Sequence, residues 1–289
     1  MKRLLSILIL SAFSLGTYSE YTVEQETVNF NANGVSIAYT VAGKENSIPV
    51  LMVMGLMASH KVWGERIIND LVHAGYKVIL FDNRDTGDSE KLDRLGNPNL
   101  LWKYFLSSLS IGFSTPYTLS DMAADGIAVL DHLDVKSAHL VGASMGGMIV
   151  QTMAFENPSR AKSLVSIMST TGAKHLSGMS KEMEDNFEGI ENLDVEETRG
   201  YGFYPEAMPR QLTAIFHAGD RSHQVKQIKV RTLVQHGLDD PLLPSDHGAH
   251  TAELIQGSKI RFYEGMAHNL PDEIIPLVIS DMINFFQEN

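Results

Sequence analysis

A chain of 289 residues, 44% hydrophobic and 20% charged, carries enough apolar material for one large folded domain and falls outside the disordered and fibrous classes. Its formal net charge of -12 sets aside nucleic acid as a partner and repels strongly anionic substrates at long range. The absence of cysteine excludes disulfides, thiolate metal sites and a cysteine nucleophile.

The chain opens on "MKRLLSILILSAFSLGTYSE", with Lys2 and Arg3 before an apolar stretch from Leu4 to Leu15 and small residues up to Ser19. This is the layout of a secretory signal peptide. The apolar stretch is shorter than the roughly 20 residues a spanning helix needs. Residues 1–19 are therefore expected to be removed on export to the periplasm or the exterior. No stable membrane insertion is expected afterwards, and residues 20–289 form a single domain.

Alternation on both sides of Asn33-Gly34 in "VNFNANGVSIAYTVAG" predicts a tight hairpin. "PVLMVMG" (49–55) and "YKVILFD" (76–82) are continuous apolar runs of the kind buried strands show. Between them "SHKVWGERIINDLVHAG" has helical spacing and a stop at Gly75. A second helix is predicted over 118–135, capped by Thr118 or Ser120. Then come a strand, "AHLVGA" (138–143), a helix beginning "MGGMIVQTMAFENP", and a strand, "KSLVSIM" (162–168). From about 171 to 212 the alternation breaks, and an acidic run, "KEMEDNFEGIENLDVEE", reads as part of an inserted cap. Strand and helix then alternate again through "VRTLVQHG", "HGAHTAELIQG", "SKIRFYEG" and "PDEIIPLVISDMINFF". Such alternation argues for a mostly parallel sheet with helices on both faces.

"VGASMGGM" (141–148) places Ser144 where a buried strand meets a helix, within Gly-x-Ser-x-Gly. A chain of this length shows that pattern by chance about one time in ten. At a strand-to-helix junction it reads as a nucleophile elbow, a sharp turn that exposes the serine Oγ. Gly142 and Gly146 leave room for the turn, and Gly147 for close packing of the helix. The N–H of Met145, at the helix start, is placed to bind an oxyanion. A second donor is expected in "MGLMASH", where Gly55 turns the chain and the Leu56 N–H points inward.

Of 11 histidines, His268 in "YEGMAHNLP" lies in the loop after the last predicted strand, at the same sheet edge as the elbow. His236 ends a strand and reads as a local packing or hydrogen-bonding residue. His247 and His250 share a helix without further metal-ligand types beside them, so no metal is expected. The acid that orients a histidine base is expected from "VQHGLDDPLLP", as Asp239 or Asp240. The loop after the preceding strand, "STTGAKH", has no carboxylate.

Together these features resemble the α/β-hydrolase superfamily over nearly all of residues 27–288. "DNRDTGDS" (82–89) is similar to the Asp-x-Arg-x-x-Gly-x-Ser turn after the fourth strand of many members. "GLDDPLLP" resembles the acid loop, which selects Asp240, and "GMAHNLP" the histidine loop, which selects His268. "FDNRDTG", "GASMGGM" and "GMAHNLP" are most similar to the branch of polyketide methyl esterases and related carboxylesterases. Met54 and Asp85 depart from it, standing where many relatives have histidine and glycine. The resemblance implies the α/β-hydrolase fold, with an eight-stranded sheet and a short helical cap.

The chemistry expected is hydrolysis of small, apolar carboxylic esters through an acyl-enzyme. Ser144 is the expected nucleophile, His268 the base and Asp240 its orienting acid, with oxyanion donors at Leu56 and Met145 and no cofactor. Met57 and Met266 are expected to touch substrate, because Met54, Met57, Met145 and Met266 all fall in loops at the active edge. Lactonase, thioesterase and aminopeptidase activities use the same residues and stay open. So does a nearly silent ligand-binding protein with the same pocket.

Overall fold

The computed structural model describes residues 28–181 and 202–288. The expected signal peptide and most of the acidic run lie outside the described residues. Eight strands form one sheet: β1 (Val28–Ala32), β2 (Val35–Ala42), β3 (Ile48–Val53), β4 (Tyr76–Phe81), β5 (Ala138–Ala143), β6 (Ala161–Ile167), β7 (Thr232–Gly237) and β8 (Lys259–Tyr263). Their spatial order is β1-β2-β4-β3-β5-β6-β7-β8. β1 and β2 form the expected antiparallel hairpin, and β2 joins β4 antiparallel; β4 through β8 run parallel. Asn33 (φ 52°) and Gly34 (φ 79°) both take left-handed backbone, as a two-residue hairpin turn of matching twist requires.

Among the described residues the α-helices are α1 (Gly64–His73), α2 (Leu100–Ser108), α3 (Leu119–His132), α4 (Met145–Glu156), α5 (Met208–Ala218), α6 (Ser222–Val225), α7 (Asp246–Leu254) and α8 (Ile275–Gln287). The period of two in each strand splits the core. Leu51 and Val53 join the cluster under α3 and α4, with Met122, Leu130, Ile149 and Met153. Val50 and Met52 join the opposite cluster with Trp63, Ile67 and Leu71 of the α1 region and Val278, Met282 and Phe285 of α8. Both faces of β3 are thus covered, which is why its sequence is apolar without alternation. Each such leucine or valine contributes about 1.5–3 kcal/mol by burial. Thr118 caps α3, its hydroxyl accepting from Asp121 N while the Asp121 carboxylate accepts from Thr118 N.

The stretch between β4 and α3 carried no predicted helix, yet α2 forms there. Its apolar residues fall on all sides, so no helical stripe marks it. Leu101, Trp102, Tyr104 and Phe105 stay largely exposed. α2 packs on α5 through Tyr104 and Phe216, 5.5 Å between ring centroids, and Ser107 Oγ donates to Phe216 O.

α5 is joined to the loop after β4 by a buried ion pair. Asp85, whose backbone is left-handed (φ 77°), accepts from Arg210 Nε and Nη2, from Tyr117 Oη (2.9 Å) and from Leu92 N (2.9 Å). Arg210 also donates to Asp93 Oδ1 and Asn97 Oδ1, each at 2.7 Å. Asp85, the departure from the glycine that the family resemblance implies, therefore trades backbone strain for a clamp on α5. Replacing Arg210 by methionine leaves the Asp85 charge buried, and unfolding stability is expected to fall by about 3–5 kcal/mol. Denaturant midpoints check this. Adding Asp85→Gly to Arg210→Met should recover part of the loss, because glycine accepts positive φ freely.

Candidate active site

The loops after the parallel strands converge at one edge of the sheet. There β5 ends and Ser144 makes the turn into α4 with φ 56° and ψ −122°. Non-glycine residues avoid this backbone region, so surrounding contacts hold it. Ser144 N donates to Ile167 O (2.9 Å), and Ser144 O accepts from Ser169 Oγ (2.8 Å). A methyl group on Gly142 would lie 2.2 Å from Gly146 O, and one on Gly146 would lie 2.1 Å from Val53 O. Both positions need hydrogen because the strand, the turn and the helix meet at backbone distance. Gly147 is equally confined, but against Ser169 of the loop after β6.

His268 Nε2 lies 2.9 Å from Ser144 Oγ, and His268 Nδ1 lies 2.7 Å from Asp240 Oδ2. The other Asp240 oxygen accepts from the N–H groups of Leu242 and Leu243, each at 2.9 Å. Burial pushes the Asp240 carboxyl upward, but the His268 ring and these N–H groups outweigh it and hold its pKa below the usual aspartate value. An ionised Asp240 only accepts, so His268 carries its proton on Nδ1 and offers Nε2 as acceptor to the serine hydroxyl. Asp239 turns away, its carboxylate accepting from Gly265 N at 2.7 Å.

His236 bonds locally, with Nε2 at 2.8 Å from Leu243 O, and it lies 3.6 Å from Asp240 Oδ2. Burial lowers its pKa, so the ring is neutral and donates to Leu243 O, which braces the acid loop. His247 engages Thr170 Oγ1 and Ser177 O, and His250 engages Thr171 Oγ1.

The loop after β3 lies against the serine. A Cβ on Gly55 would stand 3.1 Å from Ser144 Cβ and 3.5 Å from Ser144 Oγ. Ala58 N donates to Gly55 O and Met57 N to Gln211 Oε1, while the Leu56 N–H has no partner among the described residues. In α4 the first helical bonds run from Gly147 and Met148 N to Ser144 O, so the Met145 N–H precedes the ladder and is left over at the helix start.

Sequence reasoning missed the braces around this loop: Asn83, which donates to Met54 O at 2.8 Å, and Gln211. Only the neighbourhood of Asn83 in "DNRDTGDS" hinted at either. The methionines are more buried than expected. Met54 and Met266 belong to the core cluster that holds Tyr263, Leu270 and Val278, and Met145 belongs to the opposite one. Met266 is fully buried there. The substrate contact expected of it gives way to core packing, because the loop after β8 turns this side chain into the buried cluster and away from solvent.

Rhodomycin D methylesterase DnrP of Streptomyces peucetius is 27% identical over 278 residues, covering 79% of this chain and 87% of that protein. Among solved structures, the esterase RhEst1 from Rhodococcus sp. superposes with a TM-score of 0.68 at 22% identity, covering 91% of this chain and 98% of that one. The enol-lactonase of Burkholderia xenovorans superposes with a TM-score of 0.69 at 17% identity, covering 90% of this chain and all of that one. The sequence model of the alpha/beta hydrolase fold matches residues 48–204, more than half of the chain. With the sheet order and the strand-turn-helix at Ser144, that match makes this chain a member of the α/β-hydrolase fold family.

Proposed function

We propose that this protein hydrolyses carboxylic esters of small, apolar substrates through an acyl-enzyme. The observation that carries the reading is the unbroken line from Ser144 Oγ through both His268 nitrogens to Asp240, at 2.9 and 2.7 Å. The similarity to a methylesterase supports a carboxylic ester as the substrate.

In the proposed reaction Ser144 Oγ attacks the ester carbonyl carbon as its proton passes to His268 Nε2. Asp240 stabilises the imidazolium through Nδ1–H. The carbonyl oxygen becomes an oxyanion, held by the N–H groups of Leu56 and Met145 and by the positive end of α4. Collapse of the tetrahedral intermediate breaks the ester C–O bond, and the alcohol leaves with the proton from His268. Water then attacks the acyl-serine, giving its proton to His268, and a second collapse releases the acid and restores Ser144. The proposed steps use only these groups and call for no metal or cofactor. Met57, at the oxyanion loop, is the methionine proposed to touch substrate. The inserted segment from about 171 is proposed to act as a short cap, and residues 1–19 as an export signal.

Active-site titration tests the assignment. Ser144 Oγ should attack the phosphorus of a dialkyl fluorophosphate, releasing fluoride to solvent and leaving one dialkylphosphoryl group on the serine, with ester hydrolysis falling in proportion to labelling. Labelling elsewhere, or full activity once Ser144 is labelled, overturns it. Lactones and aminoacyl amides run beside p-nitrophenyl esters on the same preparation identify the leaving group the site accepts.

A further inference from the structure

The loop that carries the Leu56 N–H closes one bond of its own, Ala58 N to Gly55 O, and Asn83 holds Met54 O at its start; the rest of its shape is held from further away. Met57, next in sequence, is left-handed at φ 61°, a conformation a methionine keeps only under external restraint. The restraints come from the segment between β6 and β7. Met57 N donates to Gln211 Oε1 at 2.7 Å, and Tyr204 N donates to Met57 O at 2.9 Å. Ser59 N donates to Gly202 O at 2.8 Å, and Ala58 pairs with Phe203 as an isolated antiparallel bridge. Gln211 is fully buried, and its amide nitrogen lies 3.4 Å from Arg84 O. It follows Arg210 directly on α5, so the Asp85 clamp fixes where its carbonyl stands.

The peptide linking Leu56 and Met57 therefore takes its plane from Gln211. That plane restrains the ψ of Leu56 and so, together with the bond from Ala58 N to Gly55 O, the direction of the preceding Gly55–Leu56 peptide, whose N–H is the proposed oxyanion donor beside Ser144. We infer that Gln211 is a positioning residue for the oxyanion site: its Oε1 holds the Leu56–Met57 peptide so that the Leu56 N–H stays aimed at the carbonyl oxygen under attack. The part of the inserted segment that carries Gln211 thereby acts on the chemical step. This rests on the esterase reading above.

The expected signature is a loss confined to the transition state. Loss of one oxyanion donor costs about 10²–10³ in rate, and a misaimed donor costs part of that. Gln211→Met keeps the volume and removes the acceptor. Below its unfolding transition this variant should hydrolyse p-nitrophenyl butyrate with kcat lowered about 10- to 100-fold and KM within about threefold. Its inhibition constant for butylboronic acid, which forms a tetrahedral adduct on the serine, should rise by the same factor as kcat/KM falls. Gln211→Glu retains an acceptor for Met57 N and should restore most of both. Should Gln211→Met not fold, Gln211→Asn, one methylene short of Met57, is expected to give the same split. Wild-type kcat and boronate affinity in the folded variant overturn the inference, and so do equal losses in Gln211→Met and Gln211→Glu, which mark a structural role alone. Those results leave the esterase reading standing. An inactive wild type, or a Ser144→Ala variant that keeps its activity, overturns both.

Discussion

Replacing Ser144 by alanine is expected to lower kcat for a short p-nitrophenyl ester by about 10⁴–10⁶ while the protein folds as before. The variant removes the attacking oxygen and little else. Ser144 is only partly buried, and its backbone bonds to Ile167, Ser169, Gly147 and Met148 all run through main-chain atoms that alanine keeps. The left-handed φ of 56° is as costly for alanine as for serine, so unfolding stability should move by less than about 1 kcal/mol. What remains, about 10³–10⁴ over the uncatalysed reaction, measures the oxyanion donors and binding alone. Mutant rates on the purified protein, set beside its denaturant midpoint, separate chemistry from folding. A residual activity within tenfold of wild type would assign the nucleophile to another residue.

The strands and most helices were legible because the sheet is covered on both faces. Val50 through Val53 and nearly all of Tyr76 through Phe81 and of β5 are buried apolar residues, so the runs announce themselves. The candidate site was legible for a related reason. In a parallel sheet every loop after a strand emerges at one edge, so the Ser144 turn, the Asp239–Asp240 loop and the His268 loop could be assigned to one place, and the family resemblance then selected Asp240. What escaped depends on approach between distant segments. Gln211 bonds Met57 across 154 positions, and nothing in "PRQLTAIF" marks one glutamine as different from another. Asp85 was visible as a departure from the family pattern, but its reason, the guanidinium of Arg210, lay 125 positions away. Met266 misled because loop position alone does not say which way a side chain turns.

Replacing Asp240 by asparagine is expected to lower kcat by about 10⁴ with KM little changed, and the local geometry says why. The Asp240 Oδ1 position accepts from two N–H groups, Leu242 and Leu243, so the asparagine carbonyl oxygen must stay there. Its NH₂ group then faces His268 Nδ1. A donor at that point forces Nδ1 to accept, which moves the imidazole proton to Nε2, opposite Ser144 Oγ. Nε2 then has no lone pair to take the serine proton, and an imidazolium formed there loses its counter-charge. Stability carries a second signature. Asp240 has a folded pKa below its unfolded value of about 3.9, so it contributes stability above that pH and loses it as pH falls toward the folded value. Asparagine does not titrate. The stability advantage of wild type over Asp240→Asn should therefore be full at pH 7 and shrink below about pH 4, as read from denaturant midpoints at both pH values. A constant gap across that range would mean that the Asp240 carboxylate is no better stabilised in the fold than in the unfolded chain. A kcat within tenfold of wild type would mean that His268 keeps its tautomer without it.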